Sequence, residues 1–173
     1  MKHSRAKQIA HSALIAAMYA VLAHAQNILF PESATMMVQF RVAEALCVLA
    51  FFTPAAISGL SIGCFLFNLT FGAALPLDPV VGTLATALAC TGMRLTRRIT
   101  RKGIPILGML LPAIFNGLLV GWELDMYIGG GFWLNCGCVA LGETAVLLTL
   151  GTVLYTTMKK KGIARHLFGE TAC

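Results

Sequence analysis

The residues best suited to chemistry are a few acids and amides placed inside otherwise apolar stretches. Arg41 and Glu44 lie three residues apart at the start of an apolar run that ends at Pro54. On a helix this spacing puts both side chains on one face, where they can pair or meet a common ligand. Glu143 is the most demanding group, because a lone carboxylate deep in an apolar segment is costly unless it is paired, protonated or bound to a ligand. These groups predict a polar site inside an apolar bundle.

The composition indicates an integral membrane protein. Of the 173 residues, 58% are hydrophobic and only 12% are charged, whereas about a quarter of a typical soluble domain is charged. The net charge is +6, but the basic residues cluster between apolar runs, which argues against a nucleic-acid binder. No cleavable signal peptide is expected, because the first apolar run is too long.

We predict an all-α membrane protein with six transmembrane helices that form a single domain over residues 1–173. The predicted spans are 9–27, 40–52, 55–71, 77–95, 104–123 and 132–158. The second is shorter than the roughly 20 residues that a span needs, and Pro54 ends it. Six spans place all three basic clusters on one side, so both termini are expected in the cytoplasm.

The polar groups are expected in the outer half of such a bundle. With a helical rise of about 1.5 Å per residue, Arg41, Glu44 and Asn68 fall near the outer ends of their spans. Asn116 falls in the outer half and Glu143 near the bilayer midplane. The inner half is almost wholly apolar, which predicts a pocket open to the outside and closed below. An ion pathway would need polar groups along its whole length.

The residues predicted to contact a ligand combine hydrogen-bond acceptors with aromatic faces. Carboxylates accept hydrogen bonds from adjacent ring N–H and amino donors, such as those of a guanine-like edge, and they also favour an ammonium group. The predicted substrate-binding residues are Glu143, Glu123, Asn116, Asn135, Trp133, Phe40, Arg41, Glu44 and Asn68. The glutamates and asparagines would hydrogen-bond and an aromatic ring would stack. Arg41 and Glu44 would order the mouth beneath a lid at residues 27–38.

Several polar residues in or near the predicted spans have a purely structural alternative. Asp78, beside two prolines, is typical of a helix N-cap, and Asn68 suits a hydrogen bond between helices. Arg41 and Glu44 can form a structural ion pair. No nucleophile–base set, metal-ligand spacing or phosphate-binding loop is readable, so the sequence predicts neither an enzyme nor a metal or cofactor site.

The first span carries small residues four positions apart. Ala13 and Ala17 form one such pair, and Ala16 and Ala20 form an overlapping one. A strip of small residues lets another helix approach closely. That helix belongs either to the same bundle or to a partner protein.

Several blocks of the sequence resemble the QueT family, and the resemblance extends over essentially the whole chain. The blocks are residues 38–46, 52–57, 59–68, 116–123, 132–135 and 141–143. The resemblance implies the six-helix substrate-binding (S) component of an energy-coupling factor (ECF) transporter in the bacterial plasma membrane. The implied substrates are queuosine precursors, 7-deazaguanines that bear a cyano or aminomethyl group. The implied partners are a transmembrane coupling protein, which would meet one of the alanine pairs, and two ATPases that hydrolyse ATP.

Three alternatives stay open. The chain can be an S component for another vitamin, such as riboflavin or folate. It can also be a stand-alone secondary carrier or channel, although the two halves show none of the repeat symmetry that such carriers often have. The third alternative, an intramembrane enzyme, lacks a readable catalytic set.

Overall fold

The chain folds into a helical bundle, seen in a computed structural model that describes residues 5–31, 33, 38–70, 75–160 and 162–169. Its elements are α1 (Arg5–Leu29), a 3₁₀ helix (Val42–Phe51), α2 (Ala55–Thr70), α3 (Asp78–Thr96), α4 (Ile106–Met109), α5 (Leu111–Tyr127), α6 (Phe132–Val146), a π turn (Leu147–Gly151), α7 (Thr152–Lys160) and α8 (Ile163–Phe168). No strand occurs within these ranges, which confirms the all-α fold class.

Three helical stretches are long and apolar enough to cross a membrane. They are Arg5–Leu29, the continuous pair α4–α5 over Ile106–Tyr127, and the run from α6 through α7 over Phe132–Lys160. The 3₁₀ helix and α2 are also apolar but shorter. This hydrophobic, all-helical architecture is that of a membrane protein.

Successive long segments run in alternating directions. α1 and α2 lie side by side and parallel, since Ser12 Oγ donates to Ala55 O at one end (3.0 Å) and His24 Nε2 lies 2.9 Å from Thr70 Oγ1 at the other. The 3₁₀ helix that connects them therefore runs the opposite way. α3 is antiparallel to α2, and α5 and α6 form a further antiparallel pair.

This alternation gives the bundle two ends of opposite character. We call one the acidic end; it holds the last turns of α1, α2 and α5 and the first turns of α3 and α6. The other, the basic end, holds Arg5, the α3–α4 connection at residues 97–105 and the α7–α8 region. Both the start of α1 and α8 lie at the basic end, where the His11 ring packs edge-on against Phe168.

The 3₁₀ helix occupies the centre of the bundle. Nine of its ten residues are buried, and it contacts α1, α2, α3, α6, the π turn and α7. At about 2 Å of rise per residue, it is roughly 20 Å long. At its end, Arg94 Nη1 donates to the Phe51 carbonyl (2.9 Å). The second predicted span is therefore shorter than residues 40–52 and wound more tightly than an α-helix.

α1 and α2 approach each other closely because α2 has glycines where they meet. A Cβ atom at Gly59 would lie 2.7 Å from the Ser12 carbonyl oxygen, and one at Gly63 would lie 2.8 Å from that of Ala16. Ala16 is consequently buried against α2, whereas Ala13 and Ala17 lie on the exposed face of α1. Ala20 is half-buried, so the two alanine pairs face different surroundings.

Candidate binding site for a polar ligand

Buried polar side chains are concentrated towards the acidic end. Of the twelve buried polar or charged residues in the described ranges, ten belong to this group, which we call the polar cluster. Its members are Gln26, Gln39, Arg41, Glu44, Asn68, Asp78, Asn116, Glu123, Asn135 and Glu143. They come from α1, the 3₁₀ helix and the residues before it, α2, α3, α5 and α6. Seven of the nine predicted substrate-binding residues are among them.

Arg41 is the cationic group of the cluster. Its Nη2 atom lies 3.8 Å from Asp78 Oδ1, and both side chains are at least nine-tenths buried. The guanidinium also interacts electrostatically with Glu143 and with Glu123. Together with Glu44, the cluster sets four carboxyl groups against this one guanidinium. Such a surplus of carboxyl groups favours a ligand that brings hydrogen-bond donors or positive charge.

Glu44 is bonded to other groups than the sequence predicted. Its Oε1 accepts a hydrogen bond from Tyr19 Oη (2.6 Å) and its Oε2 one from Cys47 Sγ (2.9 Å). No ion pair joins it to Arg41 within the described residues. Arg41 precedes the 3₁₀ helix in extended backbone, with φ −81° and ψ 91°, so the helical spacing assumed for this pair does not apply. The predicted Arg41–Glu44 ion pair was therefore wrong.

Asn116 and Glu143 link α5 to α6. Asn116 Nδ2 donates to Glu143 Oε1 at 3.1 Å, and both side chains are completely buried. The two helices can come this close because a Cβ atom at Gly121 would lie 2.8 Å from Cys136 Cα, and one at Gly117 would lie 3.1 Å from the Cys136 carbonyl oxygen. The remaining oxygens, Asn116 Oδ1 and Glu143 Oε2, have no hydrogen-bond partner among the described residues.

Gly142 brings α6 against the extended backbone before the 3₁₀ helix. A Cβ atom at this position would overlap the backbone carbonyl of Gln39. This contact places Glu143 beside the segment that carries Arg41, consistent with their electrostatic interaction. Gln39 is itself buried, and its Oε1 atom has no partner within the described ranges. The sequence analysis missed Gln39, although its position two residues before Arg41 was a signal.

Seven buried side-chain oxygens have no hydrogen-bond partner among the described residues. They are Gln39 Oε1, Asn68 Oδ1, Asp78 Oδ1, Asn116 Oδ1, Glu123 Oε1, Glu123 Oε2 and Glu143 Oε2. All seven belong to the polar cluster and are acceptors as placed; the four carboxylate oxygens are acceptors whenever the acids are ionised. A buried polar atom without a partner costs about 1–3 kcal/mol. The cluster therefore has the hydrogen-bonding capacity to receive a ligand rich in donors.

Gln26 ties α1 to residues that precede and begin the 3₁₀ helix. Its Nε2 atom donates to the Phe40 carbonyl and to Ser33 Oγ (2.9 Å), and its Oε1 accepts from the Val42 backbone N–H (2.7 Å). The predicted lid at residues 27–38 lies partly outside the described residues, at 32 and 34–37. The part that is described is tied to α1 by one buried amide, which the sequence analysis did not single out.

The loop between α5 and α6 is likewise held by side-chain hydrogen bonds. Asn135 Nδ2 donates to the Gly129 carbonyl (2.9 Å), and the Gly131 backbone N–H donates to Asp125 Oδ1 (2.9 Å). These bonds hold three successive glycines with positive φ, a conformation that glycine adopts easily. Asn135 thus lies at the edge of the polar cluster and supports a loop.

Two predicted aromatic contacts lie away from the cluster. Trp133 is 77% exposed and packs against the neighbouring ring of Phe132, and Phe40 is 46% exposed. An exposed Trp at the end of a membrane helix is typical of the interfacial belt. The structure therefore brings neither ring into the polar cluster.

Asn68 and Asp78 join α2 to α3. Asn68 Nδ2 donates to the Asp78 backbone carbonyl (3.0 Å), which confirms the predicted bond between helices. Asp78 does not cap its helix, because Leu77 is the N-cap residue and makes no side-chain bond. The N-cap interpretation of Asp78 was wrong, since its carboxylate pairs with Arg41 instead.

These features define a helical membrane protein with a cluster of buried polar side chains. The family model described as QueT transporter matches residues 9–160. The chain belongs to the QueT transporter family, which confirms the resemblance found in the sequence and gives the protein a general role in membrane transport. Neither the curated proteins nor the solved structures compared with this chain give a match.

Proposed function

We propose that this protein is the S component of an ECF-type uptake transporter and binds 7-cyano- or 7-aminomethyl-7-deazaguanine. The observation that supports this proposal is the set of seven buried oxygens that accept no hydrogen bond from the described residues. A deazaguanine carries a ring N–H beside an exocyclic amino group, and a carboxylate accepts from two such adjacent donors at once. The family membership favours the same substrate class.

Within this proposal, Glu123 and Glu143 have the leading roles. Both oxygens of Glu123 and one of Glu143 are available, so either carboxylate can take the guanine-like edge. The other would then face the substituent on the five-membered ring, where an aminomethyl ammonium is better matched than a neutral nitrile. Asn116 and Asn68 would add single hydrogen bonds. Glu44 would support the site through Tyr19 rather than bind, because both its oxygens are bonded within the protein.

The proposed topology has six membrane spans in one domain over residues 1–173, with both termini in the cytoplasm. The alternating direction of the long segments supports it, as does the collection of basic residues at one end. The 3₁₀ helix is too short to cross roughly 30 Å of hydrocarbon alone. It is surrounded by other helices, so its ends need not reach the lipid surface.

Transport would require partner subunits. We propose that a transmembrane coupling protein packs on the exposed face of α1 at Ala13 and Ala17, and that partner ATPases hydrolyse the ATP. In this scheme the chain is a binding protein without enzyme activity or cofactor.

Ligand titration tests the substrate assignment. Purified protein in detergent should bind both deazaguanines tightly and guanine weakly. Glu123→Gln and Glu143→Gln should each weaken binding roughly tenfold to a hundredfold, since each removes a charged acceptor. Asp125→Asn is the matched control, because this acid bonds only the outer loop in the described structure. Wild-type affinity in both glutamate variants, or equal binding of guanine, riboflavin and folate, would contradict the assignment.

Cellular uptake tests the partner assignment. Ala13→Leu combined with Ala17→Leu should abolish uptake while ligand affinity in detergent is unchanged, because the added side chains keep the partner helix away. Leu84→Phe, at an exposed position of α3, is the control and should leave uptake intact. Uptake by the purified chain alone in liposomes would instead support a secondary carrier.

A further inference from the structure

A cavity lies at the basic end, at the opposite end of the bundle from the polar cluster. Its volume is about 310 Å³, and it is bounded by the end of the 3₁₀ helix, the α3–α4 connection, α7 and α8. Its basic lining residues are Arg97, Arg98, Lys159 and Arg165, and Thr100 also lines it. Its floor includes Phe52 and Tyr155, whose rings stack with centroids 5.3 Å apart. The cavity thus combines cationic walls with an apolar floor.

The part of the chain that the structure describes gives this cavity basic side chains but no acidic ones. No carboxylate lines it within the described residues. The described acids lie in the polar cluster or, for Asp125, in the last turn of α5; they are Glu44, Asp78, Glu123, Asp125 and Glu143. Guanidinium groups gathered without acidic partners favour an external anion. Arg97 and Arg98 are therefore the groups on which an anion would be held.

The backbone around the cavity is fixed rather than loose. Lys159 Nζ donates to the Gly103 carbonyl (3.1 Å). Gly103 belongs to a tight turn in which Arg101 and Ile104 exchange two backbone hydrogen bonds of 2.9 and 3.1 Å. The turn residues Lys102 and Gly103 have φ of 53° and 82°, as a two-residue turn of type I′ requires. The connection that carries the arginines is thus anchored to α7.

We propose that this cavity binds a phosphate-bearing anion, and that an anionic phospholipid head group supplies it. A guanidinium matches phosphate oxygens with two parallel hydrogen bonds. Basic pockets at the cytoplasmic ends of membrane helices bind anionic head groups. The aromatic floor would contact the glycerol and the first carbons of the acyl chains, a contact that free phosphate lacks. The inference goes beyond the transported substrate and does not depend on its identity.

The test uses the full chain purified in neutral detergent. It is titrated with dioctanoyl phosphatidylglycerol, with dioctanoyl phosphatidylcholine and with inorganic phosphate, and bound molecules are counted by native mass spectrometry. We expect one phosphatidylglycerol, bound about tenfold more tightly than phosphatidylcholine. Arg97→Gln with Arg98→Gln should weaken phosphatidylglycerol binding about tenfold or more. Arg97→Lys with Arg98→Lys should lose less, because the charges remain.

The matched control removes two charges from the same connection but outside the cavity. Arg101→Gln with Lys102→Gln should leave phosphatidylglycerol affinity within about twofold of wild type. These substitutions reduce only the long-range electrostatic attraction, which salt screens. An unchanged thermal unfolding midpoint in detergent would show that each variant is folded. Competition by inorganic phosphate at similar concentration would support the same site with free phosphate as its ligand. Equal binding of both lipids would overturn the proposal. So would an equal loss of phosphatidylglycerol affinity in the cavity variant (Arg97→Gln with Arg98→Gln) and in the control variant (Arg101→Gln with Lys102→Gln).

Discussion

The two ends of the bundle differ in how deeply their polar and charged side chains are buried. At the acidic end, charged and amide side chains are buried, packed between helices and left with unused acceptors. At the basic end, most charged groups lie at the surface or line an open cavity, and the helices below them are apolar. Buried polar groups are expensive and exposed ones are not. The comparison shows that buried acceptors without a described hydrogen-bond partner gather at the acidic end, and this difference supports the ligand site proposed there.

The largest expected effect comes from adding a side chain at Gly142, where α6 contacts the backbone before the 3₁₀ helix. Gly142→Ala should lower the free energy of unfolding by roughly 3 kcal/mol, because its Cβ atom would overlap the Gln39 backbone. Gly137→Ala, on the same helix, meets no atom within 4 Å and should stabilise the protein by up to about 1 kcal/mol. Thermal unfolding in detergent measures both. Similar stability of the two variants would show that α6 does not pack on residue 39 as described.

Two carboxylates of the cluster should respond with opposite sign. Glu123→Leu should raise the stability of the ligand-free protein by about 2 kcal/mol and abolish binding, because both its oxygens lack partners. Glu44→Leu should lower stability by a similar amount, since it breaks the bonds from Tyr19 and Cys47. Unfolding curves without and with deazaguanine distinguish the two. A loss of stability in Glu123→Leu would mean that this carboxylate is structural.

A smaller effect is expected from removing the hydrogen bonds of Gln26. Gln26→Leu removes three hydrogen bonds to residues 33, 40 and 42. If the proposed site is correct, the dissociation rate of bound deazaguanine should rise about tenfold, because the residues that lead into the 3₁₀ helix are no longer tied to α1. Stopped-flow displacement measures the rate. Gln8→Leu, exposed on the same helix at the basic end, is the control and should leave the rate unchanged.

The smallest effect tests the basic end. Ser12→Ala removes the bonds to the Ala55 carbonyl (3.0 Å) and to Ser58 Oγ (2.8 Å). Stability should fall by only about 0.5 kcal/mol, because the Ala55 carbonyl still accepts a hydrogen bond from Ser58 Oγ (3.2 Å). Ligand affinity should not change. A loss as large as that of Glu44→Leu would remove the distinction between the two ends.

The sequence was informative where composition and charge decide the outcome. Acids and amides in apolar runs are costly, so Glu123, Asn116 and Glu143 were expected to gather, and the structure buries them together. The helical class followed from the length and apolarity of the runs. These arguments need only the order of residues and the properties of a membrane.

The pairings within the site depend on backbone details that the sequence did not reveal. The tight winding of residues 42–51 changed which groups Arg41 and Glu44 meet. The close approach at Gly142 involves a residue a hundred positions away. A tryptophan such as Trp133 can either stack on a ligand or lie at the membrane interface. Its exposed position on α6 shows that it lies at the protein surface.

The winding of the central helix also sets how far ten residues can reach. An α-helix over Val42–Phe51 would be roughly 15 Å long, about 5 Å less than the 3₁₀ helix. With Phe51 held by Arg94, that shortfall would leave Arg41 one helical turn below Asp78. The greater rise per residue of the 3₁₀ helix therefore places the one guanidinium of the cluster at the same depth in the bundle as the carboxyl groups around it.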